Sequence, residues 1–520
     1  MDLHISKNVI IGTTTVVTSI FGYELYKNYP EIKKWVWKKF IKIPFVKKKV
    51  DKKIEVALSE IKKNVLTPIS DTPDFLQLPS IGLEKDFIVE LADKYNNKKD
   101  FDWKKGYVSG TVYKDDEEYT NFLCEIYKKF SWTNPLHPDT FPSIRKMEAE
   151  IVNMCIDLYK GDENCCGTTT SGGTESIMLA CKAYRDYAEK RGVEKPEMII
   201  TDTAHAAFWK AAAYFKIKIV EVGYDFTRDS HHVGYCLNNN QLKNVINKNT
   251  CMIGLSAPNF AYGSFDNVHE VQELLKTLSF DIPIHLDCCL GGFILPFTFE
   301  GQNRNFNREL ITSISLDTHK YGYGPKGCSV ILYRDKKYCH NQYFVQPDWS
   351  GGIYASPTFA GSRSGAIIAA TWAALLYHGK EGYNNYAKKI VNTTREIANE
   401  LKKIDGIKVI GEPSSCIVAF KSKVLDIYRL AENLKLKKWN LNILQNPPAV
   451  HLCVTTHHLD KKVINKFIKD VKNEVEKILN EPNACTTGVA AIYGMSQQLP
   501  DKSIVKELAY GYLDTFYKVI

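Results

Sequence analysis

Two lysines follow a short strand-like stretch in the middle of the chain, in the segment DTHKYGYGPKG at residues 317–327. Lys320 stands directly after His319, and Lys326 lies six positions further on, among glycines and a proline. A lysine can act as a nucleophile only if it can lose its proton, whereas a lysine that binds an anion must keep its charge. The segment therefore offers two distinct roles, and the spacing alone leaves open which lysine takes which role.

Three further motifs carry groups that could bind a phosphate or a flat ring. TTTSGGTES (168–176) places paired glycines, including Gly173, before a helix with Thr174 as its predicted N-cap, and such a helix start binds phosphate. His205 in AHAAF stands at a strand-to-helix junction, and Asp287 in HLDCCLGGF closes a buried strand, where a carboxylate needs a cationic partner. Each has an ordinary alternative, because a Gly-Gly turn is more often just a turn and a lone histidine usually supports the fold.

The order of the four motifs along the chain matches the parts that hold pyridoxal phosphate. These parts are a phosphate cradle, a flat ring, a strand-end carboxylate and a strand-end lysine. In such a site the lysine bonds to the cofactor, the carboxylate keeps the pyridine nitrogen protonated, and a histidine stacks on the ring. The presence of all four in this order favours a cofactor site over four unrelated structural features.

These residues need a scaffold that brings several strand ends together. Predicted strands lie at residues 198–201, 218–222, 252–257, 284–287, 313–317 and 329–333, and helices at 206–215 and 268–278. This alternation predicts an α/β fold with a mostly parallel sheet covered on both faces, where ligands collect at the carboxyl ends of the strands. From about Tyr377 onward, a helix at 461–479 and strands at 416–420 and 451–455 indicate a smaller α+β domain.

The composition is that of a globular protein. The chain has 520 residues, enough for more than one domain, and 44% of them are apolar. Its 14 cysteines show no paired CxxC spacing, which argues against a metal site and against a compact disulfide framework. Because most lie in apolar stretches, we expect buried, reduced thiols in a cytosolic environment.

The net charge of +9 is concentrated near the N-terminus. Between Lys27 and Lys53, eleven lysines stand against Glu31 and Asp51, which accounts for the net charge of the whole chain. Such a segment is usually a solvated tail or a nucleic-acid arm, but Trp35, Trp37, Phe40 and Phe45 are mixed with the lysines, which suits lipid headgroups. Residues 8–26, which precede it, carry no charge until Glu24. We therefore favour a single-pass anchor over an interfacial helix, with the body in the cytosol and no nucleic-acid partner.

We accordingly divide the chain into five segments. They are a short N-terminus and membrane anchor (1–26), a basic juxtamembrane neck (27–70), an N-terminal arm and helical segment (71–160), a large cofactor-binding domain (161–376) and a small C-terminal domain (377–520).

Together the motifs closely resemble the sphingosine-1-phosphate lyase family. The resemblance covers about residues 100–515 and the layout of the anchor, and it also rests on NPLHPDTFPSIRKMEAEIV (134–152), GGIYASPTFAGSR (351–363) and TTGVAAIYGM (486–495). The glycine-rich turn, Asp and His-Lys also occur in related pyridoxal-phosphate decarboxylases, whereas NPLHPDTFP and GGIYASP indicate the lyase branch. The resemblance implies a type I aminotransferase-like fold, a homodimer, and a place on the endoplasmic reticulum membrane facing the cytosol.

The resemblance also assigns roles to residues. It implies that Lys320, beside His319, bonds to pyridoxal 5′-phosphate, and that Lys326 binds the substrate phosphate with Tyr113 and His137. It implies further that Tyr354 lies near the reacting carbons and that Ser362 reaches the cofactor phosphate across the dimer. We expect the crowding of cations to help Lys320 lose its proton.

The implied reaction is retro-aldol cleavage of sphingosine 1-phosphate and related phosphorylated long-chain bases. The products are a long-chain aldehyde and phosphoethanolamine. The base that removes the hydroxyl proton stays open, with Lys320, Tyr354 and the cofactor's own phosphate as candidates.

Two departures from the family pattern and two alternative functions remain. Trp209 stands where relatives carry Asn or Asp and could repack the surroundings of the cofactor, and Ala261-Tyr262 replaces a Pro-His pair. One alternative is an amino-acid decarboxylase of the same fold, which would have no phosphate for Tyr113, His137 and Lys326 to bind. The other is an inactive, membrane-anchored scaffold that has kept the fold.

Overall fold

The computed structural model describes residue 39 and residues 43–66, 72–97, 101–228, 233–298, 301, 304–481 and 503–519. The chain forms two compact units, one of Met1–Asp100 with Asn483–Ile520 and one of Phe101–Pro482. The predicted membrane anchor lies outside the described residues. Among the helices of the described part, none is both long and apolar enough to cross a membrane.

The α-helices are, in chain order, α1 (Pro44–Val65), α2 (Lys85–Asn97), α3 (Glu117–Lys129), α4 (Pro142–Leu158), α5 (Gly173–Glu189), α6 (Ala207–Phe215), α7 (Asn239–Val245), α8 (Val268–Lys276), α9 (Lys336–Cys339), α10 (Gly365–Leu401), α11 (Ile427–Leu436), α12 (Lys461–Asn480) and α13 (Ser503–Thr515).

The strands are β1 (Cys166–Thr170), β2 (Glu197–Thr201), β3 (Lys218–Val222), β4 (Tyr224–Arg228), β5 (Val233–Leu237), β6 (Thr250–Ser256), β7 (Ile284–Asp287), β8 (Ile311–Leu316), β9 (Ser329–Tyr333), β10 (Phe344–Trp349), β11 (Gly352–Ser356), β12 (Lys408–Val409), β13 (Ile417–Lys421), β14 (Asn442–Leu444) and β15 (Ala449–Cys453). All the strands predicted from the sequence are present, with ends shifted by two residues at most.

A seven-stranded sheet forms the centre of the larger unit, in the order β1-β9-β8-β7-β6-β2-β3. Neighbouring strands are parallel except at β9, which runs antiparallel to both β1 and β8. Strands β2, β6, β7, β8 and β9 are buried along their whole length, as expected of a sheet covered on both faces. The predicted α/β fold with a mostly parallel sheet is confirmed.

Helices α5 and α6 cover one face of this sheet. Apolar side chains of both helices, among them Ile177, Tyr184 and Phe208, are almost completely buried in the core between helix and sheet. The helix α6 can approach closely because β6 carries Gly254, where an added Cβ would lie 2.8 Å from Phe208 Cε1. The sequence therefore determines where these helices form and, through Gly254, how closely α6 packs against the sheet.

A second, antiparallel sheet follows α10, in the order β12-β13-β15-β14. Helix α12 begins after its N-cap Asp460, which accepts a hydrogen bond from Lys462 N, and buries Ile464, Phe467 and Val471 at helical spacing. The change of pattern near Tyr377 falls inside α10, close to Gly379, where non-helical backbone (φ 55°, ψ 179°) interrupts the helix. The second sheet agrees with the predicted α+β character, and the domain boundaries themselves stay a prediction.

The smaller unit contains α1, α2 and α13. Helix α1 begins with Pro44 at its first position, where the missing N–H is not needed. Helix α13 approaches α1 at Gly511, because a Cβ there would lie 2.3 Å from Leu58 Cδ2. Five lysines that the sequence places in the neck, from Lys47 to Lys53, belong to α1.

Candidate active site

The four predicted motifs meet at one edge of the central sheet. Strands β1, β8, β7, β6 and β2 all point in the same direction, so their carboxyl ends lie along this edge. Gly173 follows β1, His205 follows β2, Asp287 ends β7 and Lys320 follows β8. The fold therefore places the predicted cofactor residues where open α/β sheets bind ligands.

The start of α5 provides the predicted anion site, although its N-cap differs from the prediction. Ser176 N donates to Gly172 O (3.1 Å), which makes Gly172 the N-cap and places Thr174 inside the first turn. The prediction that Thr174 caps this helix was wrong, because the extended Gly172 already supplies the first helical carbonyl. No side chain caps the first turn, so its N–H groups are available to an anion.

Lys320 forms an ion pair with a carboxylate that the sequence analysis did not identify. Its Nζ lies 2.8 Å from Oδ2 of Asp317, a side chain that is only 2% exposed. Burial by itself would lower the pKa of Lys320, but Asp317 outweighs burial and raises this pKa above its ordinary value. The expectation that crowding by cations helps Lys320 lose its proton was therefore wrong for the chain as it stands.

The carboxylate of Asp317 is itself held by the surrounding elements. Ser329 Oγ, at the start of β9, donates to Asp317 Oδ1 at 2.6 Å, and Ser176 Oγ of α5 lies 3.2 Å from Ser329 Oγ. His319 donates from Nδ1 to Cys328 O (2.7 Å), which places its Nε2 3.6 Å from Asp317 Oδ2. A signal for Asp317 was present, because a carboxylate three residues before Lys320 can reach it within one turn.

Asp287 sits in a polar pocket at the end of β7. Its Oδ1 accepts hydrogen bonds from Cys289 N (3.0 Å) and Ser315 Oγ (3.5 Å). The neighbouring His285 lies between Ser313 and Ser315, and burial lowers its pKa to about 4, so it is neutral near pH 7. The carboxylate of Asp287 thus keeps capacity for a cationic partner such as a protonated ring nitrogen.

His205 and the two departures from the family pattern are placed by local hydrogen bonds. His205 Nδ1 accepts from Ala207 N (3.1 Å), which fixes the ring at the start of α6. Trp209 donates from Nε1 to Glu221 Oε1 (2.8 Å) on β3. The ring of Tyr262 stacks on that of Tyr235, with 4.3 Å between the ring centres. The Tyr262 hydroxyl donates to the carbonyl of Asn446. Trp209 and Tyr262 are therefore both tied to other elements by contacts of their own.

Lys326 and Tyr113 lie together beside the Lys320 segment. Lys326 Nζ is 4.9 Å from the centre of the Tyr113 ring and donates to His319 O at 3.4 Å. Burial and then the charge of Lys320 lower the pKa of Lys326. Burial raises the pKa of the Tyr113 hydroxyl well above its ordinary value, so this group stays a hydrogen-bond donor.

His137 and Ser362 lie in loops near Tyr354 of strand β11, apart from the Lys326 and Tyr113 pair. Asn134, in the turn that contains His137, donates from Nδ2 to Ser362 Oγ at 3.0 Å. A Cβ placed on Gly361 would lie 3.2 Å from the Tyr354 hydroxyl and 4.0 Å from Leu136. Phe359 N donates to Glu175 Oε1 (3.2 Å), which connects these loops to the start of α5.

The segment between the two lysines is held by tyrosine hydroxyls, which the sequence analysis also missed. Tyr119 donates to Tyr323 O and Tyr383 donates to Gly322 O, both at 2.8 Å. Tyr321 donates to Val454 O at 2.5 Å. Tyr119 belongs to α3 and Tyr383 to α10, and Tyr321 reaches a carbonyl 133 residues away, so only the fold could show these contacts.

The residues present fit pyridoxal 5′-phosphate. The uncapped start of α5 suits the phosphate, and an added Cβ at Gly172 would meet only His319 Cε1, at 3.8 Å, among atoms within 4 Å, so the approach is open. Asp287 suits the ring nitrogen, and Lys320 supplies the amine. These are the partners that a strand-end pyridoxal phosphate site requires.

The chain is similar to proteins of known family along most of its length. Residues 112–423 match the family described as the pyridoxal-dependent decarboxylase conserved domain. Sphingosine-1-phosphate lyase 1 of Rattus norvegicus is 42% identical over 481 residues, which cover 92% of this chain and 83% of the relative. Sphingosine-1-phosphate lyase of Drosophila melanogaster is 40% identical over 531 residues, which cover 98% and 94%.

Solved structures agree with this similarity. The sphingosine-1-phosphate lyase of Burkholderia pseudomallei superimposes with a TM-score of 0.78 at 34% identity, covering 87% of this chain and 99% of that one. Glutamate decarboxylase of Lactobacillus brevis superimposes with a TM-score of 0.68 at 21% identity, covering 81% and 99%, and shares the fold.

Proposed function

The chain belongs to the sphingosine-1-phosphate lyase family of pyridoxal-phosphate-dependent enzymes, and we propose that it cleaves sphingosine 1-phosphate and related phosphorylated long-chain bases. The products are a long-chain aldehyde and phosphoethanolamine. The observation that carries the proposal is the pair of lysines on one segment, where Lys320 is bound to a carboxylate and Lys326 faces an aromatic ring. One lysine serves the cofactor and the other serves an anionic substrate.

Residues at the sheet edge hold the cofactor. Bound pyridoxal phosphate supplies a protonated ring that takes up the electron pair released when the carbon–carbon bond breaks. Asp287 keeps the ring nitrogen protonated, and His205 stacks on the ring. Gly173 and Thr174 offer N–H groups of the first turn of α5 to the phosphate, and Ser362 adds a hydroxyl from a second subunit.

Lys326, Tyr113 and His137 bind the phosphate of the substrate. Among the described residues, no carboxylate lies within ion-pair distance of Lys326 Nζ, so its charge is not neutralised by a neighbouring acid. Tyr113 stays protonated in its buried position and offers a hydroxyl donor. Charge-assisted hydrogen bonds of this kind contribute about 1.5–3 kcal/mol each. Tyr354 lies beside the reacting carbons, where its hydroxyl can take part in proton transfer.

The enzyme works as a homodimer. The hairpin of β10 and β11 exposes large apolar side chains, with Phe344 at 56%, Trp349 at 54% and Ile353 at 80% exposure. Several large exposed apolar side chains on one hairpin are costly in water and are typical of a subunit interface. Tyr354 lies on the same hairpin, so a second copy that covers it would complete the site.

The N-terminal segment attaches the enzyme to the endoplasmic reticulum membrane, with the catalytic body in the cytosol. Support comes from the sequence of residues 8–26 and from the lysines of the neck. Full-length protein in isolated membranes should resist extraction by salt and carbonate but be released by detergent. Release by high salt alone would contradict the anchor and favour electrostatic attachment.

A direct activity test uses purified full-length protein with pyridoxal phosphate and sphingosine 1-phosphate. We expect aldehyde and phosphoethanolamine to form in equal amounts, and we expect the Lys320→Ala variant to form neither. Release of carbon dioxide from amino acids, without cleavage of sphingosine 1-phosphate, would contradict the proposal and identify a decarboxylase.

A further inference from the structure

The ion pair between Asp317 and Lys320 has a buried carboxylate, whereas the side chain of Lys320 is 23% exposed. Asp317 is 2% exposed, and its two carboxylate oxygens have different partners, Ser329 at Oδ1 and Lys320 at Oδ2. A Cβ on Gly173 would lie 2.7 and 2.8 Å from these oxygens. The carboxylate of Asp317 therefore occupies the space that a Cβ on Gly173 would need, beside the first turn of α5.

Other ionisable groups also face Lys320. Asp287 and Cys289 approach it from the end of β7 and the turn that follows, and Lys326 approaches from its own segment. Cys453 approaches from the end of β15. Among the described residues, Asp317 is the carboxylate in ion-pair contact with Lys320, so it dominates the local field.

We propose that Asp317 is a positioning residue that holds the Lys320 ammonium beside the reacting carbons after the substrate has displaced Lys320 from the cofactor. This inference rests on the proposed function. It assigns Lys320 the role of proton donor and removes it from the candidates for the base that takes the hydroxyl proton.

The proton inventory is consistent with this role. The substrate arrives with a protonated amine, and its exchange with Lys320 leaves Lys320 as an ammonium. After the carbon–carbon bond has broken, Nζ gives one proton to the amine-bearing carbon, so an N–H bond breaks and a C–H bond forms. Lys320 is then a neutral amine with a free electron pair, which is the form needed to bond to the cofactor again and release the product.

The first test measures the charge of Lys320 without substrate or turnover. Cofactor-free full-length protein is acylated at a series of pH values, and labelling of each lysine is followed by mass spectrometry. The half-point of a lysine is the pH at which its labelling reaches half of its maximum. In the wild type we expect the half-point of Lys326 to lie at lower pH than that of Lys320. In Asp317→Asn we expect the Lys320 half-point to fall by about one pH unit or more, because an opposite charge within a few ångströms shifts a pKa by about 1–3 units.

Asp335→Asn is the matched control, because Asp335 caps α9 and contacts neither lysine. It should leave the Lys320 half-point unchanged. Equal half-points in Asp317→Asn and wild type would overturn the proposal, as would labelling of Lys320 before Lys326 in the wild type. The wild-type comparison needs no variant and decides the matter even if Asp317→Asn does not fold.

The second test uses the pH profile of kcat with sphingosine 1-phosphate. If Lys320 is the proton donor, activity falls at high pH as Nζ loses its proton, and Asp317→Asn moves this fall to lower pH. If Lys320 were the base, Asp317→Asn would instead increase kcat near pH 7, which would overturn the assignment. Absence of any lyase activity in the wild type would contradict the proposed function, whereas the labelling result would still report on the ion pair.

Discussion

At the scale of single residues, environment separates two lysines that look alike in the sequence. Lys320 faces a buried carboxylate, whereas Lys326 packs over a tyrosine ring and donates a hydrogen bond to a backbone carbonyl. A charge next to an opposite charge is stabilised, whereas the ammonium of Lys326 is exposed and available to an anionic ligand. The two side chains are therefore not interchangeable.

Replacing each lysine by alanine should give opposite results. We expect Lys320→Ala to lose the absorbance of the covalently bound cofactor and all turnover while the fold is kept. We expect Lys326→Ala to keep that absorbance and to raise KM for sphingosine 1-phosphate. The measurements are an absorption spectrum with and without borohydride, and steady-state kinetics. If Lys326→Ala lost the absorbance and Lys320→Ala kept it, the two roles would be reversed.

At the scale of elements, the segment from Asp317 to Cys328 owes its shape to distant hydroxyl groups. Tyr119 and Tyr383 bind two consecutive carbonyls of this segment, and Tyr323 has a positive φ of 57°, which is strained for a residue with a side chain. This strained backbone is retained because the hydrogen bonds from Tyr119 and Tyr383 hold the segment in place. The positions of both lysines thus depend on α3 and α10.

Removing these hydroxyl groups should loosen the segment. We expect Tyr119→Phe and Tyr383→Phe each to destabilise the fold by about 1–3 kcal/mol, because each leaves a buried carbonyl unpaired. We also expect a lower kcat. Tyr333→Phe is the matched control, because the Tyr333 hydroxyl is buried without a hydrogen-bond partner. Urea denaturation and kinetics that do not distinguish the three variants would refute this role.

The sequence predicts elements well where one pattern determines them. Strands such as 218–222, 284–287 and 329–333 agree with the structure residue for residue, because short stretches rich in Val, Ile and Leu and bounded by turns have few other solutions. The predicted N-cap of α5 was wrong because both Thr174 and the glycines before it can cap a helix. Which residue does so depends on the carbonyl that accepts the first helical hydrogen bond, here that of Gly172. Asp317 was missed although its spacing from Lys320 was visible in the sequence, whereas its contacts with Gly173 and Ser329 depend on the fold.

At the scale of the whole molecule, the proposed homodimer can be tested at the exposed hairpin of β10 and β11. We expect the double variant Trp349→Asp/Ile353→Asp to sediment as a monomer, because two charges would have to be buried in the interface. Its activity should fall, since the proposed dimer places Tyr354 and Ser362 between subunits. Val424→Asp, which changes an equally exposed side chain far away in sequence, should remain dimeric. A dimeric and active double variant would contradict this interface.

Buried histidines make the stability of the molecule depend on pH. Burial lowers the pKa of His285, His378 and His451 to about 4 and that of His458 to about 3. The unfolded chain takes up protons at these sites below about pH 6.5, whereas the folded chain does not until about pH 4. The free energy of unfolding therefore decreases as the pH is lowered from about 6.5 to about 4. Each site contributes a slope of up to about 1.4 kcal/mol per pH unit.

Asp266 has the opposite effect on the pH dependence of stability, because burial raises its pKa to about 6. The four histidines outnumber it, so we expect a lower urea midpoint at pH 5.5 than at pH 7.5. His451→Gln should reduce this difference, while the exposed His269→Gln should not. Equal midpoints at the two pH values in the wild type would contradict the assignment of these histidines as neutral.

The most direct test of the account compares kcat/KM for sphingosine 1-phosphate and for unphosphorylated sphingosine. Both carry the amine and hydroxyl needed for cleavage, so they differ only in what Lys326, Tyr113 and His137 bind. Losing two or three charge-assisted hydrogen bonds of about 1.5–3 kcal/mol each predicts a preference for the phosphorylated base of several powers of ten. His137→Ala and Lys326→Ala should each narrow this gap, chiefly by slowing the phosphorylated substrate. Near-equal values for the two substrates in the wild type would contradict the phosphate site and the proposed lyase function with it.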